Sequence, residues 1–164
     1  EYGGGNADIL TTMLTMEGLG YGCLDNGLIF GLNAQMWSVQ MPILTFGTEA
    51  QKRKYLPGLC DGSLIGAHGM SEPDSGSDAF AMRTRAERRD GGYVLNGSKT
   101  FVTNAPIADM AVVFATVDPA RKMLGVTGFL VDKGTPGFSV SPHIDKMGLR
   151  TSPMSEIVLD NCFV

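Results

Sequence analysis

Charged residues are scarce: Asp, Glu, Lys and Arg make up 18% of the 164 positions, against about 25% in an average soluble domain. With hydrophobic residues at 43%, intrinsic disorder is excluded, and some apolar surface is expected to be covered by something outside this chain. Thirteen Lys and Arg against seventeen Asp and Glu leave a net charge of −4. No basic run is long enough to grip a phosphate backbone, which speaks against nucleic-acid binding. Cysteine is nearly missing. Cys23, Cys60 and Cys162 are odd in number, far apart and form no CxxC pair, so neither a disulfide framework nor a zinc site is suggested and a reducing compartment fits. No apolar run approaches the ~20 residues of a membrane-crossing helix; the longest candidate, from Leu28 to Leu44, is broken by Gly31, Asn33, Gln35, Ser38, Gln40 and Pro42. GxGxxG, GxxxxGK, HExxH and GxSxG are absent, and His68 and His143 have no partners at metal-ligand spacing.

What is present fits one domain, or two small pieces sharing a core. A chain of this length buries roughly 70% of its unfolded surface and needs no covalent or metal staple. It opens on Glu1, not Met, so a piece of a longer protein is expected, with any targeting peptide outside it. Composition changes character near residue 62. Before it, Ile9, Leu10, Met13, Leu14 and Leu19 mark one stripe of a helical period. Residues 28–39 are apolar almost all round, which predicts a helix buried on most sides. Gly27 and Gly31 make a face that another helix can approach closely, and Pro42 is expected to end that helix. Thr48-Glu49-Ala50-Gln51 is a capping box opening a short helix that should stop around Pro57 and Gly58.

After residue 62 the period falls to two. Strands are expected at 63–71, 84–89, 93–95, 99–102, 110–116, 127–132, 138–142 and 156–159, separated by Gly-, Asp- and Pro-rich turns. Asn96-Gly97 between apolar runs signals a hairpin with a type I′ turn. Short antiparallel strands of this kind close into a barrel or sandwich. The expected fold is therefore α+β: an N-terminal helical piece over residues 1–62, packed on a small antiparallel β-barrel or sandwich over residues 63–164.

Two segments look like more than scaffold. In residues 67–78 a strand runs into a turn rich in Pro, Asp, Ser and Gly, whose amides and hydroxyls can ring an anion such as a diphosphate; such residues also simply make turns. In residues 99–104, Phe101 and Thr103 fall two apart, on one side of a strand. An aromatic face beside a hydroxyl suits a flat heteroaromatic ring, and equally a half-buried strand with threonine on its wetter side. On the residues alone both readings stay open.

The order and spacing of the motifs resemble the acyl-CoA dehydrogenase family over the whole length. Tyr2-Gly3-Gly4-Gly5, Phe46-Gly47-Thr48-Glu49 and Tyr55-Leu56-Pro57 are similar to parts of that family's N-terminal domain. Met70-Ser71-Glu72-Pro73 with Gly76-Ser77-Asp78 is similar to its signature at the start of the β-domain. Leu95-Asn96-Gly97-Ser98-Lys99, Val102-Thr103-Asn104, Gly134-Thr135-Pro136-Gly137 and Lys146-Met147-Gly148-Leu149-Arg150 continue the series. Each is weak alone; in order they are consistent.

The resemblance implies FAD and the removal of two hydrogens from an acyl thioester, a glutamate taking the α-proton while the β-hydrogen leaves as hydride to the flavin. Carried over, His68, Gly69, Met70, Ser71, Gly76 and Ser77 line the flavin and its diphosphate. Ser71 stands where the family usually has threonine, Ser77 also borders the substrate, and Phe101 stands where many members have tryptophan. Val102 and Thr103 complete the cofactor set, Thr103 beside the reactive edge of the ring. No acid here, Glu72 and Glu156 included, matches the base, so no catalytic residue and no metal is assigned to this chain. The resemblance further implies acyl-CoA or another acyl thioester as substrate, an electron-transferring flavoprotein or similar acceptor, a homo-oligomer of the full-length protein, a role in fatty acid metabolism and a cytoplasmic location. A thioester on a carrier protein, oxygen as acceptor, or a non-catalytic domain of the same fold are the alternatives. The methionines are read as adaptable core filling, Arg83, Arg85, Arg88 and Arg89 as a solvated strand face, and His68 as a spacer in the flavin-lining stretch, not a proton donor.

Overall fold

The computed structural model describes residues 2–164. Helix α1 (Ile9–Gly22) is capped by Asp8, whose carboxylate accepts from the Thr11 amide at 2.7 Å. The expected apolar stripe is there, but it is not core: no α1 residue is buried, and Ile9, Leu10, Met13 and Leu14 are all more than half exposed. Of the methionines only Met82 and Met110 are buried, so most are not core filling either.

Helix α2 (Asn26–Gln35) runs into a π-helical turn (Met36–Gln40) and then α3 (Met41–Phe46). Pro42 therefore does not end the helix. The Met41 amide bonds to Met36 O, a spacing of five; this wider turn ends just before Pro42, which sits in the first turn of α3, where no N–H donor is needed. The Gly27–Gly31 face does allow close approach, but of loops, not a helix: a Cβ on Gly27 would lie 2.1 Å from Thr151 Oγ1, and one on Gly31 3.2 Å from Asn104 Oδ1. Helix α4 (Glu49–Asp61) has the capping box of Thr48 and Gln51, and passes through Pro57 to end at Gly62, φ +81°. An interior proline costs about 3 kcal/mol. Burying Tyr55, Leu56 and Leu59 along the same helix contributes about 1.5–3 kcal/mol each, and burial wins.

The strands are β1 (Gly66–Gly69), β2 (Arg85–Arg89), β3 (Gly92–Thr103), β4 (Met110–Thr116), β5 (Val126–Asp132), β6 (Phe138–Val140) and β7 (Met154–Phe163). They form one seven-stranded sheet, mixed where an all-antiparallel one was expected. β5 covers one edge of β4 along its whole length, while β1 and then β2 share the other edge, both parallel to β4. The chain reaches β4 twice in one direction because the loop between β1 and β2 carries it along that edge. The remaining pairs, β2–β3, β3–β7, β7–β6 and β4–β5, are antiparallel.

Asn96-Gly97 makes no hairpin. β3 runs through it, and the turn lies at Asp90-Gly91, between paired Arg89 and Gly92. Gly97, φ +147°, marks a bulge against β7; a Cβ there would lie 2.8 Å from Thr84 Cα, so the glycine admits the neighbouring backbone. Val39, Ile43, Tyr55, Leu56 and Leu59 pack on Met110 and Val112 of β4 and bind the helices to the sheet. At the rim Asp132 accepts from Tyr55 Oη at 2.8 Å and Lys54 Nζ at 2.6 Å.

Candidate functional site

A cavity of about 470 Å³ opens where three segments meet. α2 and the π turn supply Phe30, Asn33, Ala34, Trp37 and Ser38. β1 and the residues after it supply Gly66, His68, Met70 and Ser71. β3 supplies Thr100, Phe101 and Thr103.

The π turn orients the helical wall. Gln35 and Gln40, five apart, both donate from Nε2 to Leu59 O, at 3.1 and 2.5 Å, while Gln35 Oε1 accepts from the Gly66 amide at 3.1 Å. A helical turn of this width brings residues five apart to one side, so the amides grip α4 and Trp37 and Ser38 face the cavity. The Trp37 indole N–H donates to Asn33 Oδ1 at 3.2 Å, and Asn33 Nδ2 donates to Ile29 O at 3.0 Å, which fixes the ring.

On the sheet side a second bulge does the aiming. Lys99 pairs with Ile157 and Val102 with Ser155, so Thr100 and Phe101 together face the single Glu156. Phe101 adopts φ +55°, a left-handed backbone that costs a bulky side chain about 1–3 kcal/mol. The residue is 65% exposed and lines the cavity, while Val102 is buried in the core. Phe101 and Thr103 thus share the cavity on either side of buried Val102, as alternation along a strand predicts, and the bulge adds Thr100 to the same wall.

Beneath this wall lies a buried ion pair. Lys99, with 0% of its side chain exposed, donates to Glu72 Oε1 at 2.7 Å and to Met70 O at 3.1 Å. Glu72 also accepts from the Arg83 amide (2.5 Å), the Thr84 amide (3.0 Å) and the Thr84 hydroxyl (2.5 Å). Burial pushes its carboxyl pKa up, but the Lys99 and Thr84 side chains and the two amides together outweigh burial and hold it below the usual glutamate value. Burial lowers the Lys99 ammonium, with Glu72 opposing. Burial first, then the nearby Lys99 charge, also lowers His68 against the hydrogen bond at its own backbone, so the imidazole is neutral at pH 7; its ring meets Phe114 edge-on at 5.3 Å. Ser71 and Thr103 line the cavity, and among the described residues neither hydroxyl has a hydrogen-bond partner, which leaves them available to a ligand.

The structure brings together His68, Met70, Ser71, Phe101 and Thr103 from the expected set. Four others lie elsewhere. Gly69 is buried in β1, where a Cβ would meet Lys99 at 3.1 Å; the glycine makes room for the lysine. Val102 faces the core. Gly76 and Ser77 are exposed and do not line the cavity, because paired Glu72 and Ser75 backbones turn the chain away before them. The sequence reading missed the helical wall, having assigned residues 28–39 to core, and it missed the Lys99–Glu72 pair. Usable signals were the Gln35–Gln40 spacing ahead of Pro42, and a lone lysine in the otherwise uncharged run of residues 95–104.

The acyl-CoA dehydrogenase N-terminal domain model matches residues 1–63 and the acyl-CoA dehydrogenase middle domain model residues 67–162. The chain belongs to the acyl-CoA dehydrogenase family. It is 44% identical over its full length to an L-prolyl-[peptidyl-carrier protein] dehydrogenase of Serratia sp. (strain ATCC 39006), covering 42% of that protein. It is 43% identical, again over its full length, to a mitochondrial isovaleryl-CoA dehydrogenase of Oryza sativa subsp. japonica, covering 40% of it. Among solved structures it resembles the prolyl acyl carrier protein oxidase AnaB (TM-score 0.96, 52% identity) and PigA with FAD and proline (TM-score 0.98, 44% identity), covering 99% of this chain and 43% of each of those chains. The chain therefore spans about two-fifths of these family members. Among the described residues no helix is long and apolar enough to cross a membrane, and no cluster of three His, Cys, Asp or Glu is placed to hold a metal.

Proposed function

We propose that this chain forms part of the FAD and substrate cleft of a flavin-dependent enzyme that dehydrogenates an acyl thioester between its α and β carbons. The observation that carries the reading is the cavity's lining: an aromatic ring held outward by a strained backbone, and beside it the hydroxyls of Ser71 and Thr103, without a partner among the described residues. A flat ring with polar edges needs an apolar face and hydrogen bonds at its rim, and these residues fit that need. Phe101 would lie against the isoalloxazine, with Ser71 and Thr103 bonding its edges and Met70 and neutral His68 completing the wall. Bound there, FAD supplies the hydride acceptor. The chain's own groups bind and orient the ring and exclude water from one side of it.

No carboxylate lines the cavity among the described residues. Glu72 is committed to Lys99, and Glu156 accepts from Thr100 Oγ1 at 3.2 Å. The base that takes the α-proton is thus assigned to a part of the parent protein outside this chain. The substrate is an acyl-CoA in the main reading, with a separate electron-transferring flavoprotein or similar acceptor and a homo-oligomeric parent. A second reading, an acyl or aminoacyl group carried on a carrier protein, draws support from the 44% and 52% identities to proteins named for prolyl carrier substrates.

Purification of the parent protein tests the assignment. A yellow holoenzyme whose flavin bleaches anaerobically on adding an acyl-CoA supports the main reading, and bleaching only by a prolyl-loaded carrier protein supports the second. A colourless protein that ignores added FAD refutes both.

A further inference from the structure

Resting on the flavin reading above, we infer that the buried Lys99–Glu72 pair positions the cofactor cleft, holding the two sheet-side walls at the separation a flat ring requires.

Three observations carry it. First, the pair differs from every other ion pair described: the remaining five are between side chains at least 44% exposed, whereas Lys99 and Glu72 are 0% and 5% exposed. Exposed pairs do little for a fold, and a buried pair is no cheaper than an apolar one of equal volume. Fold stability alone gives no reason for two charges here. Second, the ammonium's contacts join chain segments that are far apart in sequence. It bonds Met70 O and Glu72 and touches Met82 Sδ at 3.9 Å, while Glu72 takes the amides of Arg83 and Thr84. One point charge with several donors can fix a carbonyl and a carboxylate at once, which an apolar side chain cannot. Third, the residues beside these anchors are those of the cavity. Met70 lines it directly, Ser71 O accepts from the Thr100 amide at 2.9 Å, and Thr100 and Phe101 follow Lys99 in β3. Gly69 completes the arrangement, since a side chain there would meet the Lys99 stem.

Neither residue lines the cavity, so both act through the backbone of Met70–Ser71 on one side and Thr100–Phe101 on the other. A lysine replaced by methionine keeps the volume and loses both polar anchors, and the Met70 carbonyl is left without its donor.

The test uses the full-length parent with FAD. Lys99→Met, and Lys99→Gln in case the first fails to fold, are compared with Tyr55→Phe, which removes the hydroxyl bonded to Asp132 away from the cavity and controls for general loss of stability. The expected result is a rise in FAD Kd of about tenfold or more for either Lys99 variant. The visible absorption bands of bound flavin shift with it, while Tyr55→Phe lowers the melting temperature and leaves FAD Kd within about twofold. Wild-type Kd and spectrum in a folded Lys99 variant overturn the inference, as does equal weakening by Tyr55→Phe. A wild-type parent that binds no FAD instead overturns the flavin reading itself.

Discussion

Replacing Phe101 by glycine should separate stability from cofactor binding. The native φ of +55° costs a non-glycine residue about 1–2 kcal/mol, which glycine recovers. Because the residue is 65% exposed, removing its side chain forfeits the burial of only roughly 70 Å² of apolar surface, or about 1.7 kcal/mol. The added backbone freedom of the unfolded chain costs a further ~0.5–1 kcal/mol. The terms largely offset one another, so the apoprotein should lose less than about 2 kcal/mol, a melting shift under about 8 °C. The ring's proposed place is against the isoalloxazine, and its loss should raise FAD Kd about tenfold or more. Thermal unfolding of the apo parent and titration by quenching of flavin fluorescence measure the two quantities. A loss above about 3 kcal/mol would show that the ring is structural, and an unchanged Kd would remove it from the cofactor site.

Gly97→Ala should destabilise by about 2–3 kcal/mol in urea unfolding, since its Cβ would lie within 2.8 Å of Thr84 backbone. Gly62→Ala meets nothing within 4 Å and should cost only its left-handed backbone, about 1 kcal/mol by the same assay. Glu72 has a folded pKa below its usual 4.5, so the native state binds fewer protons there and the stability it contributes is lost as pH falls through that range. His68, lowered from 6.5, withdraws stability the same way once pH falls below about 6.5, because the unfolded imidazole charges first. Urea midpoints from pH 7.5 to 4 should therefore fall in two limbs, and His68→Gln should flatten the upper one alone.

Much of the fold is legible in the sequence. The capping box of Thr48 and Gln51, the β4 run over residues 110–116 and the split between helical and two-residue periods depend on neighbours in sequence, and all appear in the fold. Phe101 and Thr103 are legible as an aromatic and a hydroxyl two apart on a strand, Ser71 through the family resemblance, and the structure gathers all three at one cavity. The misreadings share a cause. Asn96-Gly97 and Pro42 carry strong local preferences, but one is overridden by the β3–β7 pairing and the other absorbed by a π turn that Gln35 and Gln40 clamp to Leu59. The α1 stripe fits a buried helix face equally well with or without something to cover it.

Local preference and motif order thus determined the element types, the change of character near residue 62 and the chemical kinds of residue at the cavity. Tertiary structure decided which of them meet. The burial of Lys99 against Glu72, the outward turn of Phe101 and the helical wall of Trp37 and Ser38 all arise from contacts between segments distant in the chain. Their energies depend on desolvation and on pairing across the sheet, and no window of neighbouring residues contains those quantities.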